Sequence, residues 1–237
     1  MDMQEAVDNF AAAMIHCDNL ISVHRAAGGG GRGRRTTVTS VNRGTIVLAV
    51  AAWQAFIQDT AMALRDEAMA ELAGLPQARL TSLAMAHWNT DFKAALEKFS
   101  TPGHGQTQSL LLRMGFDPCP SWTWTQNGGR GNTSVVVEPK HVAKVITQWL
   151  RVRNDVAHGH TTIHSLAVLT AVRDPNSSDK AKKAPTLRLT DAIDCVAFFR
   201  SIVRLTADAA ALHLGRPSPA WDEVPPLALG LHVSHLG

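Results

Sequence analysis

The sequence predicts an all-α protein, a helical bundle with one small β-hairpin insert at about 165–189. Three observations carry that expectation. Long segments repeat apolar residues at intervals of three and four, which places them on one face of a helix. Gly- and Pro-rich breaks at 28–35, 74–76 and 101–103 divide those segments. A polar run at 174–185 separates two short stretches that read as strands. With 237 residues, 45% of them hydrophobic, the chain is long enough to build one substantial core.

Residues 2–27 carry Val7, Phe10, Ala11, Met14, Ile15 and Ile21 at near-helical spacing. The Gly/Arg-rich stretch 28–35 breaks that pattern and reads as a loop. It lacks the Lys-Ser/Thr ending of a phosphate-binding P-loop. Ser40 is the expected N-cap of a long helix reaching about Leu72, and Ile46, Val47, Val50, Trp53, Phe56 and Ile57 mark that helix as the centre of the fold. A shorter helix is expected over 77–99 and a small one over 106–114, ended by Gly115, with 117–133 irregular. Pro139 suits the first turn of a helix that runs through Val142, Val145, Ile146 and Trp149 to His158. The two strands of the insert are expected at 166–172 and 186–189. Thr190 then caps a last helix ending near Gly215. Residues 1–215 thus read as one helical domain and 216–237 as a Pro-rich C-terminal tail, with no internal repeat.

Composition narrows the function classes. No uninterrupted apolar run approaches the roughly 18 residues that span a bilayer, and the first five residues are too acidic and polar for a signal peptide. The three cysteines, Cys17, Cys119 and Cys195, are odd in number and far apart. They point to reduced core thiols in a cytoplasmic protein, not to a disulfide framework or a zinc ribbon. Net charge is only +3, yet no acid occurs from Asn19 to Gln58, where Arg25, Arg32, Arg34, Arg35 and Arg43 all fall. Such a segment can attract a polyanion or simply form a solvated loop; Arg32, Arg34 and Arg35 are the candidate RNA contacts within it.

The most informative stretch is Arg151-Val-Arg-Asn-Asp-Val-Ala-His-Gly-His160. Arginine holds phosphate with a planar fork of donors, and histidine moves protons near neutral pH. The same residues also make an ordinary helix end, since basic side chains complement the negative terminus and Gly159 is a natural C′ residue. Spacing alone leaves other pairings open, Arg151 with His158 or Arg153 with His160.

Arg153-Asn-Asp-Val-Ala-His-Gly159 resembles the Arg-Asn-x-x-x-His signature of the HEPN superfamily. The stretch from Asn42 to Asp59 is similar to the early long helix of the RiboL-PSP-HEPN branch, as are Phe99-Ser-Thr-Pro102, the segment around Leu110-Leu-Leu-Arg-Met-Gly-Phe116, and Trp122-Thr-Trp124. The resemblance covers roughly Asn42 to Leu212. It implies a HEPN-type α-helical bundle, a homodimer, and a metal-independent endoribonuclease of a toxin–antitoxin or phage-defence system, with an antitoxin or other defence-system partner. No cofactor, metal or membrane is implied. The catalytic set carries over to Arg153, Asn154 and His158, with Arg151 as a further phosphate contact. The reaction implied is attack of an RNA 2′-hydroxyl on the adjacent phosphate, leaving a 2′,3′-cyclic phosphate. His158 serves there as general base or acid, and Arg153 offsets the gathering charge. On an ideal helix Asn154 and His158 share a face while Arg153 lies about 140° from His158, an arrangement that two copies across a dyad can complete. The alternative is a non-catalytic HEPN module that binds RNA or lends dimerisation to a defence system. One departure narrows the regulation: some HEPN toxins are silenced by AMP on a tyrosine two residues beyond the histidine, and here that residue is His160, in a chain with no tyrosine.

Other residues invite competing readings. His158, His160 and His164 cluster as metal ligands would, but no Asp, Glu or Cys falls between Val156 and Val172 to complete a site. His87, His104 and His141 suit capping or the surface. Trp122 and Trp124 can stack on bases or cover the core edge. Lys180, Lys182 and Lys183 can touch RNA or only aid solubility.

Overall fold

A computed structural model describes residues 1–27, 36–73, 78–127, 134–174 and 186–236. It is an all-α fold with one small antiparallel hairpin, and 70% of it is helical. In chain order the elements are α1 (Met3–Ala27), α2 (Thr36–Ala73), α3 (Ala78–Glu97), α4 (His104–Leu112), β1 (Trp124–Asn127), β2 (Ser134–Val137), α5 (Pro139–Ala157), the single turn α6 (Thr170–Arg173) and α7 (Leu189–His213). Short 3-10 turns lie at Cys119–Ser121 and Val233–Leu236.

Helix α2 is the hub, packed by α1, α7 and α5. Ile46, Val50, Trp53, Phe56, Ile57 and Leu64 recur at helical spacing and are buried. Trp53 stacks on Phe56 and meets Trp122 edge-on and Phe199 at a tilt, and its indole N–H donates to the Pro102 carbonyl at 3.0 Å. That bond ties the α3–α4 connection to the core. Helix α2 starts before Ser40, because residues 36–43 contain no Gly or Pro to stop it. By length and composition Val38–Leu72 could also cross a bilayer, contrary to the expectation from uninterrupted runs; 56% of its apolar window is buried in the bundle.

The hairpin is not where the sequence places it. Neither 166–172 nor 186–189 forms a strand. Instead β1 and β2 pair, with Trp124 opposite Val137 and Asn127 opposite Ser134, in and beyond a stretch expected to be irregular. The misplacement has a physical cause. Backbone donors that would join a ladder are taken by side chains: Val168 N–H by Gln148 Oε1 at 3.0 Å and Thr170 N–H by Asp191 Oδ1 at 2.6 Å. Val168, Leu169 and Ala171 are then buried in a turn and the single-turn α6.

The C-terminal tail lies along the bundle as a strap. Ser201 Oγ accepts from Ala228 N–H at 2.8 Å and lies 3.2 Å from the Pro226 and Ala228 carbonyls. Arg173 reaches the Gly230 carbonyl and Lys144 the Leu236 carbonyl, while Leu229, Leu231 and Leu236 are buried. The strap therefore braces α5, the element that carries the motif.

Candidate functional site

Helix α5 is set at both ends by local chemistry. At its start Pro139 occupies the first turn, and Glu138 and His141 form a reciprocal capping box, with Glu138 N–H donating to His141 Nδ1 at 3.1 Å. Burial, then the Lys140 charge, holds the His141 imidazole below its usual range, which suits a ring nitrogen that must accept. Val142, Val145, Ile146, Trp149 and Val152 face the core. At the other end Gly159 adopts φ +70° as the sequence predicts, and its N–H bonds to the Val156 carbonyl. His160 N–H bonds to the Asp155 carbonyl at 2.9 Å.

The motif residues stand at this solvent-facing end. Arg153 is partly buried, and its Nη1 donates to Asn154 Oδ1 at 3.1 Å. That bond holds the guanidinium beside Asn154, which lies four positions before His158. His158 is the C-cap residue and is exposed. Among the described residues its side chain makes no hydrogen bond; its ring lies 6.0 Å, centroid to centroid, from that of His160. Arg151 is exposed and lines a groove of about 750 Å³ with Asn154, Lys144, His104 and Gln106. The structure thus brings Arg153 to Asn154 and sets Arg151 with Asn154 on the groove wall, while the His158 ring meets that of His160. Arg32, Arg34 and Arg35 lie outside the described residues, as do Lys180, Lys182 and Lys183.

Asp155 is the residue that the sequence reading misses. It is 3% exposed and lies one position upstream of the window between Val156 and Val172 that lacks acids. Its Oδ2 accepts the His164 N–H at 3.0 Å and pairs with His164 Nδ1 at 2.7 Å; its Oδ1 faces His160 Nδ1 at 3.4 Å. Burial pushes its carboxyl upward, but the His164 backbone and ring, with His160, outweigh that and hold it below the usual carboxylate range. Only an acid five and nine residues before histidines hints at this, and that spacing fits no helix face.

Several open readings resolve. Trp122 is fully buried with its N–H on Thr206 Oγ1 at 2.9 Å, and Trp124 is 6% exposed, so both belong to the core and offer no free face for stacking. His141 caps, as expected. His87 is exposed beside Asp91, whereas His104 packs edge-on against Trp122 with its Nε2 3.3 Å from Cys119 Sγ. The three cysteines are free and buried. Burial is the main cause that pushes Cys17 up to about 11 and Cys119 up to about 12, so neither is a ready nucleophile at neutral pH. Among the described residues no group of three His, Cys, Asp or Glu side chains is placed to hold a metal ion.

Comparison with known proteins finds no matching family model, no similar curated protein and no similar solved structure.

Proposed function

We propose that this protein is an endoribonuclease of the HEPN type that needs no metal ion and acts in the cytoplasm as a homodimeric toxin or phage-defence effector. One observation carries the reading: the Arg153 guanidinium is held on Asn154, four positions before an exposed His158 whose side chain makes no hydrogen bond among the described residues. In this scheme an RNA 2′-hydroxyl gives its proton to a histidine and attacks the adjacent phosphorus. The bond to the 5′-oxygen breaks, leaving a 2′,3′-cyclic phosphate and a 5′-hydroxyl. Arg153 holds the phosphate and offsets charge on its oxygens in the transition state. Asn154 fixes the guanidinium through its amide oxygen and leaves its amide N–H groups to donate to RNA. Exposed Arg151, on the wall of the groove, adds a backbone contact that salt weakens. Need for the 2′-hydroxyl makes RNA the substrate and excludes DNA.

The test is cleavage of a structured RNA pool by the purified protein in EDTA, with the ends of the products identified. Cyclic phosphate ends are expected, and their loss in Arg153→Ala and in His158→Ala. Cleavage that survives both substitutions removes the assignment.

A further inference from the structure

We propose that His160 is the general acid of this reaction and that Asp155 is its positioning residue. The inference rests on the nuclease reading above and deepens it. Breaking a phosphodiester by internal attack needs two proton transfers at different oxygens: one from the attacking 2′-hydroxyl, one to the departing 5′-oxygen. A single imidazole placed at one oxygen does not serve both in the same step. The exposed end of α5 carries two, His158 and His160, with ring centroids 6.0 Å apart and planes 33° from parallel. That separation lets the rings flank one phosphate, each nitrogen within about 3 Å of its own oxygen.

The two rings are held differently, and the difference assigns the roles. His160 is fastened twice to Asp155, by its backbone N–H to the carbonyl at 2.9 Å and by Nδ1 against the carboxylate at 3.4 Å. Its Nε2 is thereby turned outward, and the ring stays 54% exposed. Asp155 is itself locked, since its other oxygen takes both the backbone N–H and the ring of His164. Of the two rings that face each other, only His160 also has a carboxylate beside it, which orients Nδ1 and leaves Nε2 for the departing oxygen. His158 has none and acts as the base. The balance closes without a co-reactant. His158 takes the 2′-hydroxyl proton, the 2′-oxygen bonds to phosphorus, the bond from phosphorus to the 5′-oxygen breaks, and His160 protonates that oxygen. Proton exchange with water then resets both rings.

The experiment uses the full-length protein and one RNA, with oxygen or sulfur at the 5′-bridging position of its mapped cleavage site. A thiolate departs without protonation, so only the oxygen substrate needs the acid. His160→Ala is expected to slow the oxygen substrate about 100-fold or more and to leave the sulfur substrate near the wild-type rate. His158→Ala should slow both. Asp155→Asn should show the same oxygen-against-sulfur split as His160→Ala, a selectivity that loss of folding does not produce. Equal slowing of both substrates by His160→Ala, or slowing of neither, overturns the proposal while the nuclease reading stands. A wild-type protein that cleaves neither substrate removes the nuclease reading itself.

Discussion

Asp155 and Asp191 are two buried carboxylates with the same kind of task and opposite proton affinities. Each gathers donors from two separated stretches of chain. Asp155 joins the end of α5 to His160 and His164. Asp191 joins the first turn of α7 to α6, taking the Arg188 and Thr170 N–H groups at 2.6 Å each. Burial dominates at Asp191 and raises its carboxyl above the ordinary range, despite those donors and nearby Arg173. At Asp155 burial is again the largest influence, but the donors, two histidine rings among them, win and the carboxyl is lowered. Asp191 is sealed from water on every side, whereas Asp155 is roofed by side chains that themselves reach solvent, since His160 and His164 are each about half exposed.

The contrast is tested first by separating activity from stability. His158→Ala should lower RNA cleavage by about 10²–10⁴-fold and leave the urea midpoint unchanged, because the ring is exposed and bonds nothing among the described residues. Asp191→Ala should do the reverse. It strands the Arg188 and Thr170 donors in a buried setting and should cost about 2–3 kcal/mol in urea unfolding, with cleavage per folded molecule retained. If Asp191→Ala instead abolished cleavage at full folding, scaffold and site would not be distinct.

Acid titration reads the opposite shifts directly. For Asp155 the folded carboxyl lies below its unfolded value of about 3.9. Its stabilisation is therefore complete above that pH and is lost as pH falls through the folded value. For Asp191 the folded value lies above the unfolded one, so its contribution falls as pH rises from about 3.9 to the folded value and is constant beyond. Urea midpoints measured from about pH 3 to about pH 7 should show a shallower acid loss in Asp155→Asn. In Asp191→Asn the decline just above the ordinary carboxylate range should vanish. The same slope in both variants would mean that the two environments do not differ.

The smallest effect belongs to Gly159→Ala. Nothing lies within 4 Å of the added methyl, but φ is +70°, so the cost should be about 1 kcal/mol from backbone conformation alone. A larger loss would show that the α5 end depends on its fit to neighbours beyond the turn itself.

The ends of α5 were legible in the sequence because Pro139 and Gly159 act through their own backbone preferences. The burial of Trp53 and its neighbours on α2 followed from helical spacing in the same way. The hairpin was not legible. The apolar, β-rich runs at 166–172 and 134–137 look alike locally, and what separates them is Gln148 and Asp191, which arrive from other helices to claim the donors of the first. Asp155 escaped for a related reason. Its link to His160 and His164 depends on the path of the chain after Gly159, a path that no periodicity describes.

Local residue chemistry was enough to define an all-α chain, a central apolar helix, and a motif of Arg153, Asn154 and His158 at the end of a capped one. Those features arise within a few residues of themselves, where propensity and spacing act. Tertiary contacts chose the strand pair, drew the C-terminal segment along the bundle, and set a buried carboxylate beneath two histidines. Long-range partners settle such matters because buried donors and charges must be satisfied by whatever side chains the fold brings to them.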